Sequence, residues 1–247
     1  MKTILITGAT AGFGEAAARK FVGGGWRAIG TGRRGGRLRE LQHELGDAFL
    51  PLEIDMRDIA AVEGLAKLSA PWGDIDLLLN NAGLAPPTDP LPETEWERIE
   101  SVIETNVTGL VALTRSLLPK LVERKGQIIN LSSVAATYPY KGGAVYAGTK
   151  AFVRQFSLDL RSDLHGTGVR VTSVEPGMAE TEFTVVRTGG DKEASDKLYA
   201  GMDPMTAEDL ADLFWWLANL PPHLNVNTIE LMPVSQSFAG FTVSREG

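Results

Sequence analysis

Thr3–Ile6 is a run of β-branched and apolar residues that leads straight into TGATAGFG, and then into a helix-like stretch carrying Ala16, Ala17 and Phe21. No other feature restricts the fold as much. Gly8, Gly12 and Gly14 stand in the pattern TGxxxGxG between a strand and a helix that begins at about Phe13. In that arrangement the free N–H groups at a helix N-terminus meet a phosphate. Glycine is needed because a Cβ would hold the phosphate away and would resist positive φ. Gly23–Gly25 then end the helix as a C-cap would. Such a beginning calls for crossover helices and parallel strands further along the chain.

The remaining residues supply them. Trp26–Thr31, Leu50–Ile54, Ile75–Leu79, Ile128–Leu131, Val169–Val174 and Val226–Leu231 read as strands. Ile75–Leu79 is almost wholly apolar, as a parallel strand buried on both faces should be. Residues 59–68, 145–164 and 207–220 fit helices. After a loop at Pro86–Pro92 comes a long helical region, interrupted around Asn106–Gly109. With no break in composition, the alternation implies one domain over residues 1–247. Its expected fold is a three-layer, Rossmann-type doubly wound parallel sheet of about seven strands with helices on both faces. A length of 247 residues, 43% of them hydrophobic, supplies the core this needs.

Composition removes several classes of function. A net charge of −7 argues against nucleic acid or an anionic membrane as the main partner. Without cysteine there is no thiolate metal site and no cysteine nucleophile. His43, His165 and His223 sit in helix-end or turn contexts with no companion ligands, so no metal site is expected. The apolar part of MKTILITG is too short for a signal peptide, and no segment approaches the roughly 20 residues of a spanning helix. Cytoplasmic location is the default. Residues 178–205 hold Gly189, Gly190 and several charges with little periodicity, which reads as a mobile lid. The tail, 232–247, is too apolar to be free and is expected at a subunit interface. Trp215 and Trp216 are expected to pack the core or an interface.

The second strand ends in Gly32-Arg33-Arg34. A site for NAD usually has a carboxylate about 20 residues after the glycine motif, holding the ribose 2′-OH. After Glu15 the next carboxylate here is Glu40, and two guanidiniums suited to bidentate pairing with a 2′-phosphate stand in its place. NADP is therefore the expected cofactor. Asp55, at the end of the third strand, either accepts from an adenine amino group or caps the helix starting near Ile59. Asn80-Asn81-Ala82-Gly83 can tie the fourth strand to its neighbour and receive a ribose. Asn106 sits among Val102, Ile103, Val107 and Leu110, so its amide must find partners, as helix-to-helix glue would.

The fifth strand delivers Ser132 and Ser133, and Tyr146 and Lys150 come after it, four residues apart. That spacing puts both side chains on one helix face. An ammonium beside a phenol favours the phenolate and is expected to pull it below its ordinary pKa of roughly 10. Taken alone, the pair reads more readily as a core tyrosine and a solvated lysine.

Together TGATAGFG (7–14), NNAG (80–83), Asn106, Ser133, Tyr146-x-x-x-Lys150 and Pro176-Gly177 resemble the short-chain dehydrogenase/reductase family, in order and spacing, over essentially the whole chain. TGRR, PGMAETEF, KAFVRQFSLDLR and LMPVSQSFAGF are similar to its NADP-dependent serine and 3-hydroxy-acid dehydrogenase branch. This resemblance implies reversible hydride transfer between NADP(H) and a small 3-hydroxy acid such as L-serine, L-allo-threonine or 3-hydroxypropionate. Tyr146 would be the acid/base, Ser133 the hydrogen-bond partner of the substrate oxygen, and Lys150 the ligand of the nicotinamide ribose. Asn106 would hold a water linking Lys150 to solvent. Thr10, Phe13, Met56 and Asn81 would join the glycines as cofactor contacts. Pro176, Gly177, Thr181 and Phe183 would form the nicotinamide loop. A substrate carboxylate needs a cation, for which Arg187 is the candidate, ahead of Lys141 and Arg154. Members of the branch are generally tetramers, so the resemblance implies a homotetramer. One departure is Ala136, where the family often has glycine after the catalytic serine; it bears on loop shape. Two other readings stay open: the same chemistry on sulfoacetaldehyde or a 3-oxoacyl thioester, and a non-catalytic NADP(H)-sensing protein.

Overall fold

The computed structural model describes residues 1–69, 72–187 and 190–238. Its sheet has seven parallel strands in the order β3-β2-β1-β4-β5-β6-β7. In chain order these are β1 (Thr3–Thr7), β2 (Arg27–Gly32), β3 (Phe49–Glu53), β4 (Leu77–Asn80), β5 (Gln127–Leu131), β6 (Arg170–Pro176) and β7 (Thr228–Leu231). β1 pairs with β2 on one side and β4 on the other, Ile4 facing Ala28 and Leu77. Strand order reverses there, and ligands of open parallel sheets bind at the carboxyl ends beside such a reversal.

One face of the sheet is covered by α1 (Gly12–Gly23), α2 (Gly35–Leu45) and α9 (Ala207–Ala218), whose side chains share a core with Ile4, Ile6, Leu77 and Leu79. Phe21 is fully buried, edge-on to Trp26 at 5.1 Å and to Trp215 at 5.3 Å. Burial of such a ring contributes about 1.5–3 kcal/mol. Of the two tryptophans, Trp215 packs on this core, while Trp216 is half exposed. Gly24 lies flat against Trp215, which a Cβ would strike at 2.2 Å, and Gly25 supplies the positive φ of the C-cap. The opposite face is covered by α3 (Ile59–Leu68), α5 (Leu110–Arg124) and α6 (Ala144–Asp163) over Leu5, Leu78 and Ile128. This is the expected doubly wound arrangement. β4 begins at Leu77 because the carboxylate of Asp76 turns to the N–H of Thr3 (2.8 Å) and to Arg124 (2.8 Å).

Between α4 (Trp96–Ile103) and α5 the helix widens into a π-helical segment, Glu104–Gly109. This is the expected interruption; π-bulges often mark functional sites. Gly109 allows it to touch the Met56 carbonyl, which a Cβ would meet at 2.3 Å. Residues 178–205 are more regular than the sequence implied. They hold α7 (Glu182–Arg187) and α8 (Lys192–Tyr199), pinned by Tyr199, whose hydroxyl is 2.6 Å from that of Thr184 and donates to the Ala179 carbonyl. Helices of one or two turns contain too few periods to register in a sequence pattern. Thr188 and Gly189 of the expected lid, and residues 239–247 of the tail, lie outside the described residues. The described part of the tail touches its own chain at two points, the Gln236 amide oxygen accepting from Met178 N–H and the Phe238 ring lying tilted against Tyr138 at 4.7 Å, while Val234 and Phe238 stay exposed. Among the described residues no helix is long and apolar enough to cross a membrane.

Candidate active site

The glycine turn after β1 is built as its composition requires. Gly8 and Gly12 have φ of 71° and 53°. A Cβ on Gly14 would stand 2.4 Å from the Gly8 carbonyl and 2.6 Å from the Asn81 amide nitrogen. Thr181 sits over Gly12, its Cβ 3.3 Å from where a side chain would begin. Asn81 ties β4 to the turn by donating to the carbonyls of Thr7 (2.8 Å) and Gly8 (3.2 Å). The tie foreseen for NNAG is thus present. Asn80 points the other way and donates to Thr114 and to Asn130, which reaches on to Ser157. This buried amide chain locks β4, β5, α5 and α6 together beneath the site. Asn130 was readable by the same logic as Asn106, a polar amide in an apolar run.

A cleft runs from this turn to the loop after β5, lined at one end by Arg33, Arg34 and Asp55 and at the other by Ser133, Tyr146 and Lys150. Thr10, Phe13, Met56, Pro176, Gly177 and Phe183 line it between. Arg34 is fixed by Thr10, whose hydroxyl accepts from Nε (3.1 Å) and Nη2 (2.9 Å). Its Nη1 donates to Glu182 at 2.9 Å, and Arg37 grips the same carboxylate at 2.6 and 2.7 Å. Those hydrogen bonds hold the Glu182 carboxyl below its ordinary range against the opposing effect of burial. Neither Arg37 nor Glu182 stood out in the sequence. Glu182 lies 148 residues from Arg34 in the chain, and no local pattern reports such a pairing. Asp55 does not cap the following helix: Asp58 does, accepting from Ala61 N–H, while Asp55 takes both the main chain and the guanidinium of Arg57. A cap must stand next to the first turn, and Asp58, not Asp55, directly precedes Ile59.

β5 ends in two serines with different partners. Ser132 donates to the Lys150 carbonyl at 2.8 Å and so clamps α6 to the strand. Ser133 accepts from Ala135 N–H at 3.1 Å and faces the Pro176 carbonyl at 3.4 Å. The turn past Ser133 therefore forms on alanine main chain, and Ala136 leaves it intact. Tyr146 and Lys150 are both buried on the inner face of α6, with the ammonium 5.7 Å from the phenol ring. Lys150 donates to the Leu131 carbonyl at 2.7 Å.

The protein alone does not lower the phenol pKa. Burial pushes Tyr146 up to about 12, outweighing the neighbouring Ser133 hydroxyl, and pushes Lys150 down to about 8. The expectation from helical spacing is reversed, for a physical reason. Desolvation penalises both charged forms. The ammonium releases its proton well before the phenol titrates, so it is no longer charged when its help is needed.

Asn106 is buried in the π-helical segment. Its amide donates to the Leu84 carbonyl (2.9 Å) and the Thr149 hydroxyl (3.0 Å), while its oxygen accepts from Leu84 N–H (2.8 Å). Both amide hydrogens are spent on holding the loop after β4 against α6. That matches the glue reading, and any water beside Lys150 must use the remaining oxygen lone pair or the main chain.

On the substrate side, α7 brings Phe183 to 5.9 Å from the Tyr146 ring and swings Arg187 over Tyr140 (5.5 Å) and Tyr146 (5.8 Å). Arg187 Nη2 donates to the Tyr140 hydroxyl at 3.0 Å. Tyr140 was not singled out in the sequence, since nothing in YPYKGG marks which ring turns inward. Arg154 is committed elsewhere: it pairs at 3.2 Å with Glu175, a carboxylate buried to 1% side-chain exposure that also receives the Ser173 hydroxyl. Neither Lys141 nor Arg187 lines the cleft itself; Arg187 borders an adjoining cavity with Leu84, Pro86 and Arg98 and reaches the site through its contact with the Tyr146 ring. Among the described residues no group of three or more His, Asp or Glu side chains could hold a metal ion.

A short chain dehydrogenase family profile matches residues 2–190. The chain is 60% identical to the serine 3-dehydrogenase of Agrobacterium fabrum strain C58, over 99% of this chain and 98% of that one. It is 52% identical to the NADP-dependent 3-hydroxy acid dehydrogenase YdfG of Escherichia coli strain K12, over 98% of this chain and 99% of that one. Among solved structures it resembles a closed form of serine dehydrogenase complexed with NADP+, with a TM-score of 0.96 and 51% identity over 99% of this chain and 100% of that one. With phosphate turn, NNAG tie and Ser-Tyr-Lys group in one cleft, the chain belongs to the short-chain dehydrogenase family.

Proposed function

We propose that this protein is an NADP-dependent oxidoreductase that reversibly oxidises the 3-hydroxyl of a small 3-hydroxy acid of the L-serine, L-allo-threonine or 3-hydroxypropionate type. One observation carries the reading. A buried Ser133–Tyr146–Lys150 group has the guanidinium of Arg187 directly over its tyrosine, so a hydroxyl at Tyr146 and a carboxylate at Arg187 can belong to one small molecule. The names of the relatives agree with this substrate class. The absence of a Cβ at Gly14 lets the helix start close against the Gly8 carbonyl and Asn81, and the positive φ of Gly8 and Gly12 shapes the turn that would receive a pyrophosphate. The arginines at the far end suit a 2′-phosphate.

When bound, NADP+ supplies a hydride acceptor at the nicotinamide C4. The chain's own groups do the rest. Ser133 donates to the substrate oxygen and steadies the charge that develops there. Tyr146 as phenolate takes the hydroxyl proton while the C3–H bond breaks with its electron pair; in reduction it returns that proton. Lys150 would hold the nicotinamide ribose, and its ammonium, with the positive charge the nicotinamide would bring, would offset the cost of the buried phenolate. Asn106 holds the loop after β4 beside Lys150 and keeps a water route open. Pro176, Gly177, Thr181 and Phe183 border the nicotinamide end, and Asp55 and Met56 the adenine end. We place the whole reaction in one domain, residues 1–247, working in the cytoplasm as a homotetramer. Exposed Phe152, stacked on Phe156 at 5.8 Å, is apolar surface that such an assembly would cover.

NADPH absorbance across a panel of 3-hydroxy acids, hydroxysulfonates and thioester-linked alcohols tests the reading. L-Serine and its small 3-hydroxy analogues should turn over with NADP+, and Tyr146→Phe should abolish turnover while NADPH still binds. Substantial turnover by that variant, or none with any 3-hydroxy acid, would sink it.

A further inference from the structure

The strand-end position where the local sequence lacks a carboxylate has one in three dimensions. Glu182 reaches it from α7, accepting 2.9 Å from Arg34 and 2.6 and 2.7 Å from Arg37. Two other residues of the same six-residue helix, Phe183 and Arg187, face the substrate end. Phe183 lies against Tyr146, and Arg187 spans Tyr140 and Tyr146. Its N-terminal neighbour Thr181 lies over Gly12. One short helix thus connects the arginine cluster to the groups around the reacting hydroxyl.

Resting on the functional reading above, we infer that Glu182 is a positioning residue that latches the substrate-side helix to the arginines receiving the 2′-phosphate, so that this phosphate favours closure of α7 over the substrate. Charge and geometry favour cooperation over competition. Arg33, Arg34 and Arg37 bring three positive charges, which a phosphomonoester of nearly two negative charges and one carboxylate would balance together. Glu182 engages only Nη1 of each of Arg34 and Arg37. Thr10 holds Arg34 by its other nitrogens. The remaining donors of Arg37 and all of Arg33, which lines the cleft, face no such claim from Glu182. A phosphate that steadies the arginines thereby steadies the carboxylate they hold, and with it Arg187.

Glu182→Gln keeps the shape and removes the charge. Two measurements apply: dissociation constants of NADPH and NADH from cofactor fluorescence, and KM and kcat for the hydroxy acid at saturating NADP+. The latch predicts weaker NADPH binding by about threefold to tenfold, the range of a small exposed ion-pair network. NADH binding should weaken less. KM for the hydroxy acid should rise by a similar factor with kcat within about twofold, because Ser133, Tyr146 and Lys150 are untouched. Tighter NADPH binding would mean that Glu182 competes with the phosphate, and an unmoved KM would mean that it does not position α7; either overturns the inference. Failure of the underlying reading looks different. It would show in the unmodified protein as equal binding of NADPH and NADH, or as a KM indifferent to Arg187→Ala.

Discussion

Tyr146 poses a quantitative problem that one titration can resolve. Burial lifts its phenol to about 12 and lowers the Lys150 ammonium to about 8, so in the cofactor-free chain the two groups titrate in the wrong order to assist each other. Catalysis near neutrality needs the phenolate while Lys150 is still charged. An ammonium 5.7 Å from the ring, at an effective dielectric of about 20, stabilises the phenolate by about 3 kcal/mol, or roughly two pKa units. The remainder must come from the positive nicotinamide, the Ser133 hydroxyl and the Arg187 guanidinium, 5.8 Å from the same ring. NADP+ is added to the protein with and without Lys150→Met, and phenolate is followed by ultraviolet difference titration. The titration is tractable because the chain has only 4 tyrosines; subtracting the Tyr146→Phe curve isolates one of them. Without cofactor the Tyr146 component should be absent up to a pH of about 10.5, whether residue 150 is lysine or methionine. With NADP+ it should move down, and Lys150→Met should reverse about two units of that movement. The pH at half-maximal kcat for hydroxy-acid oxidation should show the same pattern. A Tyr146 that ionises below its ordinary value of about 10 in the empty protein would refute the argument that burial dominates.

The packing leads to three further outcomes. Gly14→Ala would drive a Cβ to 2.4 Å from the Gly8 carbonyl, which is main chain and cannot rotate away. It should abolish NADPH fluorescence binding and lower stability to urea by about 1–3 kcal/mol. Arg187→Ala should raise KM for L-serine about tenfold or more, the worth of a charge-assisted hydrogen bond, with a smaller effect on an alcohol lacking the carboxylate. Arg154→Ala would leave buried Glu175 with the Ser173 hydroxyl alone. Because Arg154 is half exposed, the cost by urea denaturation should be about 1–2 kcal/mol, below that of a fully buried pair. Burial already raises the Glu175 carboxyl above its ordinary range. The folded variant would then hold a proton the unfolded chain releases, so its stability should fall as pH rises from mildly acid to neutral.

Local sequence was enough to specify the sheet and the phosphate turn and to put Tyr146 and Lys150 on one helix face, while the roles proposed for Ser133, Tyr146 and Lys150 came from the family resemblance. These rest on short-range periodicity, on glycines whose φ and missing Cβ are used where they stand, and on spacing within one helix. Asn106 was legible as a buried amide in need of partners, and Asn81 as a tie from β4 to its neighbour, though not which partners either would find. Four things depended on the folded arrangement of distant segments. It brought Glu182 to Arg34 across 148 residues and set Tyr140 under Arg187. It assigned Arg154 to Glu175, removing it from the substrate end. And it reversed the direction of the Tyr146 shift, because helical spacing reports which charges are neighbours while desolvation depends on how much protein closes over them.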